Sequence, residues 1–324
     1  MDAVRIIGAG GIGCAFGYAL RSRGVPVWFV DTNPRKVEAG RRDGVRLNDE
    51  PPLPAEFLHF DEWRPEPNAP TYLCTKCYDN AVVLSKLPAN ANLIPIQNGF
   101  DPALDERSHA SEGIASFVAK CESDAPRVWV TRPGELHFGS RGSGGMVVAG
   151  GFSKGFGITV VPVPRIAPIK HAKLMYNAAI SPLAAAAGLD NGQLLSVPAA
   201  RTLFFGLLQE NYRILSEAGI ELGKVGPFHP RTVAWILRRR WLAKLMARGF
   251  EPSLRGTYCS MAGEIRKGRT ELDNYNGHLI RLATKTGTPH PLNRAVFDLV
   301  THMTAERSES SPDVLRELQS QSSP

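Results

Sequence analysis

The sequence predicts an α/β protein in which an N-terminal doubly wound parallel sheet is followed by an all-α C-terminal domain. Three observations carry this prediction. A glycine-rich turn follows the first apolar run, short apolar runs then alternate with helical patterns, and from Ile169 onward long helical patterns replace strands almost entirely. At 324 residues the chain has room for two domains, and a 43% hydrophobic content can fill their cores. The boundary is expected near Pro162-Val163-Pro164-Arg165, giving domains over residues 1–165 and 166–307. The Ser- and Pro-rich tail, 308–324, is expected to be disordered apart from a short helix at Asp313 to Gln319.

Val4-Arg5-Ile6-Ile7 reads as the first strand, and Gly8-Ala9-Gly10-Gly11-Ile12-Gly13 follows it directly. The glycines do different things. Gly8 permits a tight turn, Gly10 lets backbone approach a phosphate, and Gly13 lets the next helix pack close to the strand with its positive N-terminus toward the anion. The spacing alone is weak in a chain with 31 glycines. The preceding strand and the following helix, Ala15 to Arg23 stopped by Gly24, supply the context of a Rossmann-like dinucleotide site. Val27 to Val30 is the second strand, closed by Asp31, where a carboxylate accepts from the ribose hydroxyls of a dinucleotide. Asp31 favours NAD over NADP, since a 2′-phosphate beside it is repelled by roughly 1 to 4 kcal/mol per unit charge unless Arg35 or Lys36 intervenes. The plainer role of Asp31 is to introduce the Thr32-Asn33-Pro34 bend.

Thr71 to Thr75 and Leu93 to Ile96 read as further strands with helix-like Asn80 to Leu87 between them. After Ile114 to Val118, the stretches Arg127 to Thr131 and Glu135 to Gly139 flank Arg132-Pro133-Gly134 like a hairpin, so the sheet is expected to end in antiparallel strands. Gly139 to Gly157 reads as a glycine-rich loop. Arg231 to Arg248 reads as one helix with apolar positions at Val233, Ile236, Leu237, Leu245 and Met246 facing a core and an arginine-rich face toward solvent. Nucleic acid or an anionic membrane is the alternative partner for that face, and no groove-reading module accompanies it.

A net charge of +7 is compatible with an acidic substrate and does not by itself indicate nucleic-acid binding. The N-terminus shows no signal-peptide pattern and no apolar stretch reaches the roughly 20 residues of a membrane span, so the cytoplasm is the expected location. Five cysteines argue for reduced thiols rather than a disulfide framework. Cys74-Thr75-Lys76-Cys77 lacks the second pair zinc would need, and no metal site is expected.

Lys173, Asn177 and Ser181 recur at every fourth residue and share one slowly drifting helix face, offering an ammonium, an amide and a hydroxyl. Such a set suits a substrate with a carboxylate and a carbonyl, because the ammonium can protonate the oxygen while the amide fixes orientation. Lys170, one turn earlier, is a rival, and a polar face turned to water is the bland alternative. Lys76 and Gln97-Asn98-Gly99 each follow an apolar strand, at the sheet end where open α/β folds bind ligands. Thr270-Glu271-Leu272-Asp273 has capping-box spacing, and Glu271 can alternatively face the amine of Lys173.

Taken in order, these residues resemble the ketopantoate reductase (2-dehydropantoate 2-reductase) family from Val4 to about Met303. The resemblance rests on Gly8 to Gly13, Thr75-Lys76, Gln97-Asn98-Gly99, Pro133-Gly134 with His137 and Gly139, Lys173-Leu174 with Asn177, Ser181-Pro182-Leu183, Asn191-Gly192, Ser260-Met261, Thr270 to Asp273 with Asn276-Gly277, and Thr288-Pro289 with Asn293. It implies reduction of ketopantoate, a branched 2-oxo acid, to pantoate for pantothenate synthesis by hydride from NAD(P)H. It further implies Lys173 as proton donor, Asn98, Asn177, Asn191 and Ser260 around the substrate, with Ser181 of the same helix face beside them, Lys76 and Glu271 between cofactor and substrate, and Ala119 lining the cofactor cleft between two domains. Asp31 stands where NADPH-using relatives commonly carry arginine, and Ser181 stands where the family usually has asparagine. The loop Lys267-Gly268-Arg269 is one residue shorter than usual, which bears on the placement of Glu271. Asp31 and Ser181 together suggest a second reading, an NAD-dependent D-2-hydroxyacid dehydrogenase on the same scaffold. A non-enzymatic dinucleotide sensor is a third, and a homodimer is left open.

Overall fold

The structure, a computed structural model, describes residues 3–141 and 154–321. They form two compact units, Met1–Ile166 and Ala167–Pro324. In chain order the first unit contains β1 (Val4–Ile7), α1 (Gly11–Arg21), β2 (Val27–Asp31), α2 (Pro34–Asp43), β3 (Arg46–Leu47), β4 (Glu56–His59), β5 (Thr71–Leu73), α3 (Asn80–Lys86), β6 (Leu93–Pro95) and α4 (Pro102–Asp105). It continues with β7 (Ser111–Ala115), β8 (Val118–Cys121), β9 (Arg127–Arg132), β10 (Gly134–Ser140), β11 (Lys154–Gly155) and β12 (Ile158–Arg165).

The central sheet runs β4-β2-β1-β5-β6 with every pairing parallel. Its strands are buried on both faces, which is why Val4, Ile6, Ile7, Phe29, Val30, Tyr72 and Leu73 read as apolar runs rather than as alternation. Strand order reverses at β1, with β2 and β4 added on one side and β5 and β6 on the other, and that switch point is where the glycine turn sits. The expected antiparallel hairpin between Arg127 to Thr131 and Glu135 to Gly139 does not form. Both stretches are strands, but β9 pairs with β8 and β3 whereas β10 pairs with β7 and β12 in another sheet. Gly134 makes the divergence: a Cβ there would lie 2.6 Å from the Phe117 amide nitrogen, so the chain turns tightly between sheets instead of folding back. Of the expected Gly139 to Gly157 loop, Lys154–Gly155 is strand paired with β12, and residues 142–153 lie outside the described residues.

Among its described residues the second unit holds helices and no strand: α5 (Ala167–Ala187), α6 (Gln193–Ser196), α7 (Pro198–Glu217), α8 (Pro230–Leu237), α9 (Arg240–Leu254), α10 (His278–Thr286), α11 (Pro291–Glu306) and α12 (Val314–Gln321). A π-helical turn, Asp273–Gly277, leads into α10. Helix α5 packs on α7 and α11. Its interior Pro182 offers no N–H to the Ala178 carbonyl one turn back. Asn276 Nδ2 donates to that carbonyl instead, at 2.9 Å, and also to Asn293 Oδ1 at 3.0 Å.

One expectation for this unit changes and another is met. The expected single helix over Arg231 to Arg248 breaks at Arg238–Arg239, where Arg239 is extended, and Leu245, expected in a core, is 60% exposed beside exposed Trp241. The short helix expected at Asp313 to Gln319 in the tail is α12, and it packs down because Leu315 and Leu318, three apart on one helix face, are buried. Ser310 and Ser311 tie the tail to the Ala185 and Ala186 carbonyls of α5.

Candidate active site

The glycine turn connects β1 to α1 with each glycine in a different circumstance. Gly8 adopts φ +94°, a conformation that L side chains rarely take. A Cβ on Gly13 would lie 2.1 Å from the Gly8 carbonyl oxygen, so only glycine lets the helix seat on the strand. Above Gly10 a Cβ would meet nothing within 4 Å. The turn is therefore closed beneath and open over Gly10, at the end of α1 where first-turn amides lack intrahelical partners, and this arrangement fits a diphosphate. Ala119 lies against the same turn, its carbonyl 2.7 Å from where a Gly11 Cβ would stand, and Ile12 is packed against the unit's core.

Asp31, at the end of β2, accepts from the Ala9 amide at 2.8 Å through one oxygen and from the Asn33 amide at 2.9 Å through the other. It thus shapes the glycine turn and the bend before α2 together. The two cations that could serve a 2′-phosphate are otherwise engaged. Arg35 is exposed and pairs with Asp124 at 3.3 Å, while Lys36 is buried and donates to the Ala9 carbonyl at 3.1 Å.

At the ends of β5 and β6, a buried amide clasp ties the two loops together. Gln97 Nε2 donates to the Thr75 carbonyl at 2.8 Å and to Asn80 Oδ1 at 2.7 Å, and Asn80 Nδ2 returns a bond to Gln97 Oε1 at 3.0 Å. Asn80 also donates to Asp101 at 2.7 Å. Half-buried Lys76 and Asn98 are each adjacent in sequence to a member of this clasp. Sequence reasoning missed Asn80 and Asp101; the one legible signal was Asp101 before Pro102, an N-cap whose carboxylate accepts from the Ala103 amide at 3.0 Å.

In the second unit the predicted face of α5 is not a water-facing stripe: Lys173 and Asn177 are half-buried and Ser181 is 3% exposed. Burial pulls the Lys173 amine down to about 7, and the carboxylate of Glu271 partly opposes that shift. Glu271 is itself 3% exposed and accepts from the Tyr275 hydroxyl at 3.3 Å. The capping box is only half made, since Thr270 Oγ1 accepts from the Leu272 amide at 3.4 Å while Asp273 turns to Arg281 at 2.9 Å. Gly268, in a left-handed conformation at φ +74°, closes the short turn before it. Lys170 lies beside His278, whose imidazole burial holds down to about 3 with His171, Arg281 and Lys170 adding to the effect.

Ser181, Asn191 and Ser260 are joined through one loop. The Asn191 amide donates to the Thr257 carbonyl at 2.8 Å, and Cys259 Sγ donates to the Ser181 carbonyl at 3.4 Å. Ser260, next in the loop, is exposed. Asn191 Oδ1 is buried with no hydrogen-bond partner among the described residues. An orphaned acceptor of this kind beside polar side chains suits a ligand hydroxyl. No group of three or more His, Cys, Asp or Glu among the described residues could hold a metal. Among those residues no helix is long and apolar enough to cross a membrane.

Residues 4–142 match the family model described as "Ketopantoate reductase PanE/ApbA", and residues 165–304 match "Ketopantoate reductase PanE/ApbA C terminal". The chain is similar to 2-dehydropantoate 2-reductase of Pyrobaculum aerophilum, 26% identical over 303 residues that cover 92% of this chain and 96% of that one. In fold it is similar to a PanE/ApbA family ketopantoate reductase from Ralstonia eutropha, with a TM-score of 0.73, 20% identity and coverage of 94% and 99% of the two chains. It is equally similar to D-mandelate dehydrogenase solved with NADH and anilino(oxo)acetate, with a TM-score of 0.75, 19% identity and the same two coverages.

Proposed function

Because the chain belongs to the ketopantoate reductase family and is an NAD(P)-dependent oxidoreductase, we propose that it reduces a branched 2-oxo acid, foremost 2-dehydropantoate to pantoate, with Lys173 as the proton donor. The observation that carries this reading is the half-buried amine of Lys173, brought to about 7 by burial and accompanied by the Glu271 carboxylate. A general acid is most effective when its pKa lies near the operating pH. At neutral pH roughly half of the Lys173 amines hold a transferable proton, whereas an ordinary exposed lysine gives its proton up far less readily.

A reduced nicotinamide, when bound, supplies hydride to the carbonyl carbon. The chain's own residues do the rest. The first-turn amides of α1 hold the diphosphate, and Asp31 keeps the turn in shape while accepting from the ribose. Lys173 delivers its proton to the developing alkoxide oxygen, and Asn177, one turn along the same face, orients the acid. Asn191 Oδ1, buried and unpartnered among the described residues, accepts from the terminal hydroxyl of 2-dehydropantoate. Lys76 and Asn98 are assigned to the boundary between dinucleotide and substrate, and Ser260 to the substrate.

NADH is the preferred donor in this reading. Asp31 is held in place by two amides, Arg35 pairs with Asp124, and Lys36 is turned beneath the glycine turn. Repulsion of a 2′-phosphate by that carboxylate, roughly 1 to 4 kcal/mol per unit charge, disfavours NADPH by about fivefold or more. A second reading, an NAD-dependent D-2-hydroxyacid dehydrogenase, is favoured by the same Asp31 and by the small buried Ser181 in place of an amide.

The test is oxidation of NADH and NADPH with 2-dehydropantoate and with a series of branched and aryl 2-oxo acids. Turnover of 2-dehydropantoate with Lys173→Met reduced about 100- to 10,000-fold supports the first reading. Turnover confined to other 2-oxo acids moves the assignment to the second, and no turnover with any of them removes both.

A further inference from the structure

Two thiols and a buried ammonium converge on one carbonyl beneath the glycine turn. Cys14 on α1 donates to the Ala9 oxygen at 3.2 Å, and Cys121 at the end of β8 donates to it at 3.7 Å. Both sulfurs therefore border the same oxygen, at 3.2 and 3.7 Å. Lys36 Nζ reaches the same oxygen at 3.1 Å and Cys121 Sγ at 3.8 Å. Ala9 is the residue whose amide is held by Asp31, so both of its hydrogen-bonding groups are fixed from below, one by a carboxylate and one by this cluster.

The cluster separates the two sulfurs chemically. The adjacent Cys14 thiol and the neighbouring Lys36 ammonium hold the Cys121 thiol below its ordinary value. The adjacent Cys121 together with burial pushes Cys14 well above it. Elsewhere in this unit burial pushes Cys74 up to about 12, and Cys77 is buried against Gln97. Since the thiolate is the reacting species, Cys121, with the Lys36 ammonium beside it, is the sulfur poised to react first.

We propose that Cys121 is a modification site for hydroperoxides, that Cys14 resolves the oxidised sulfur to a Cys14–Cys121 disulfide, and that this disulfide weakens dinucleotide binding. The Cys121 sulfur attacks one peroxide oxygen, the O–O bond breaks, and water or an alcohol leaves with the thiol proton, giving the sulfenic acid. The Cys14 sulfur then attacks that sulfur, the S–O bond breaks, and water leaves with the second thiol proton. Two thiols lose two hydrogens and two electrons, and one hydroperoxide is reduced. The disulfide removes both S–H donors from the Ala9 carbonyl and draws α1 toward β8. Gly11, at the start of α1, already lies close against Ala119 of β8, whose oxygen would be 2.7 Å from a Cβ there, so the movement is passed to the glycine turn.

The coupling rests on the reading that the glycine turn holds the dinucleotide, so the experiment scores the two separately. The whole protein is treated with stoichiometric hydrogen peroxide with and without saturating NADH; thiol peptides are mapped by mass spectrometry, and NADH binding is titrated by fluorescence before and after treatment. The expected result is a Cys14–Cys121 link formed ahead of modification at Cys74, Cys77 and Cys259, slowed by bound NADH. The NADH Kd should rise about tenfold or more and recover with dithiothreitol. In Cys121→Ser the ratio of Kd after to before peroxide should be about one whatever its starting value, and Lys36→Met should slow the oxidation of Cys121. Earlier modification of another cysteine, or a linked protein that binds NADH as the reduced one does, overturns the proposal. If the reduced protein binds neither NADH nor NADPH, the dinucleotide reading falls, and the peptide map still decides the thiol pair.

Discussion

Asn276→Ala should destabilise the protein by far more than one polar side chain ordinarily would. Asn276 and Asn293 are both fully buried, and the Asn276 amide nitrogen serves two acceptors, the Ala178 carbonyl at 2.9 Å and Asn293 Oδ1 at 3.0 Å. Neither acceptor has a ready substitute. Ala178 is the carbonyl that Pro182 cannot satisfy, and Asn293 spends its own donors on Glu210 and Asn211. Leaving two buried acceptors unmet costs about 1–3 kcal/mol each, and removing Asn276 Oδ1, which is buried without a partner among the described residues, returns part of that. The net loss is about 2 kcal/mol or more, a fall of roughly 4–8 °C in Tm for a unit of this size. Asn276→Asp is close to isosteric yet should be worse at neutral pH, because a carboxylate would face two oxygens with nothing to donate. Urea denaturation with an unchanged m-value is the assay. A loss under about 0.5 kcal/mol for the alanine variant, or an aspartate tolerated as well as asparagine, would refute the reasoning.

The Lys173 amine at about 7 predicts that kcat/KM falls tenfold per pH unit as pH rises above about 7, since the acid form is lost. Glu271 raises that pKa, so Glu271→Gln should move the alkaline limb to lower pH; a limb that stays put or moves up removes Glu271 from the proton-donor assignment. Gly10→Ala and Gly13→Ala should separate binding from folding. The first leaves urea stability unchanged while raising the NADH Kd about tenfold or more, and the second prevents native folding because its Cβ would lie 2.1 Å from the Gly8 oxygen. Asp31→Asn should narrow the preference for NADH over NADPH about tenfold in kcat/KM and weaken both cofactors, because an amide oxygen serves only one of the Ala9 and Asn33 amides. Unchanged NADH:NADPH selectivity would count against that role for Asp31.

What the sequence made legible was local. The strand before Gly8, the glycine spacing and the helix after it lie within two dozen residues, and the structure assembles them as their spacing requires. The four-residue spacing of Lys173 and Asn177 likewise places them on one helix, and it is the degree of burial that composition could not supply. What escaped is set by partners far away in the chain. Arg127–Arg132 and Gly134–Ser140 have the composition of strands, but nothing local says they join different sheets, because that choice is made at Phe117 and in β12. The amide clasp of Asn80 with Gln97 spans 17 residues, and the bond from Asn276 to Ala178 spans 98, with no periodicity to announce either. The position of Asp31 points to a ribose, yet its grip on the Ala9 amide is visible only once β1 and β2 lie side by side.

The π-helical turn at Asp273–Gly277 carries a consequence for how this protein tolerates change in length. Such a turn is an ordinary helix bearing one surplus residue, and Gly277 accommodates the crowding, since a Cβ there would lie 2.4 Å from Asp273 Oδ1. Deleting that residue would produce a more regular helix and rotate everything upstream by about 100° about its axis. Glu271 would swing off the side on which it influences Lys173. A deletion that tidied this irregularity would keep the scaffold and lose the carboxylate's influence, so the extra residue acts as a spacer that sets where Glu271 points.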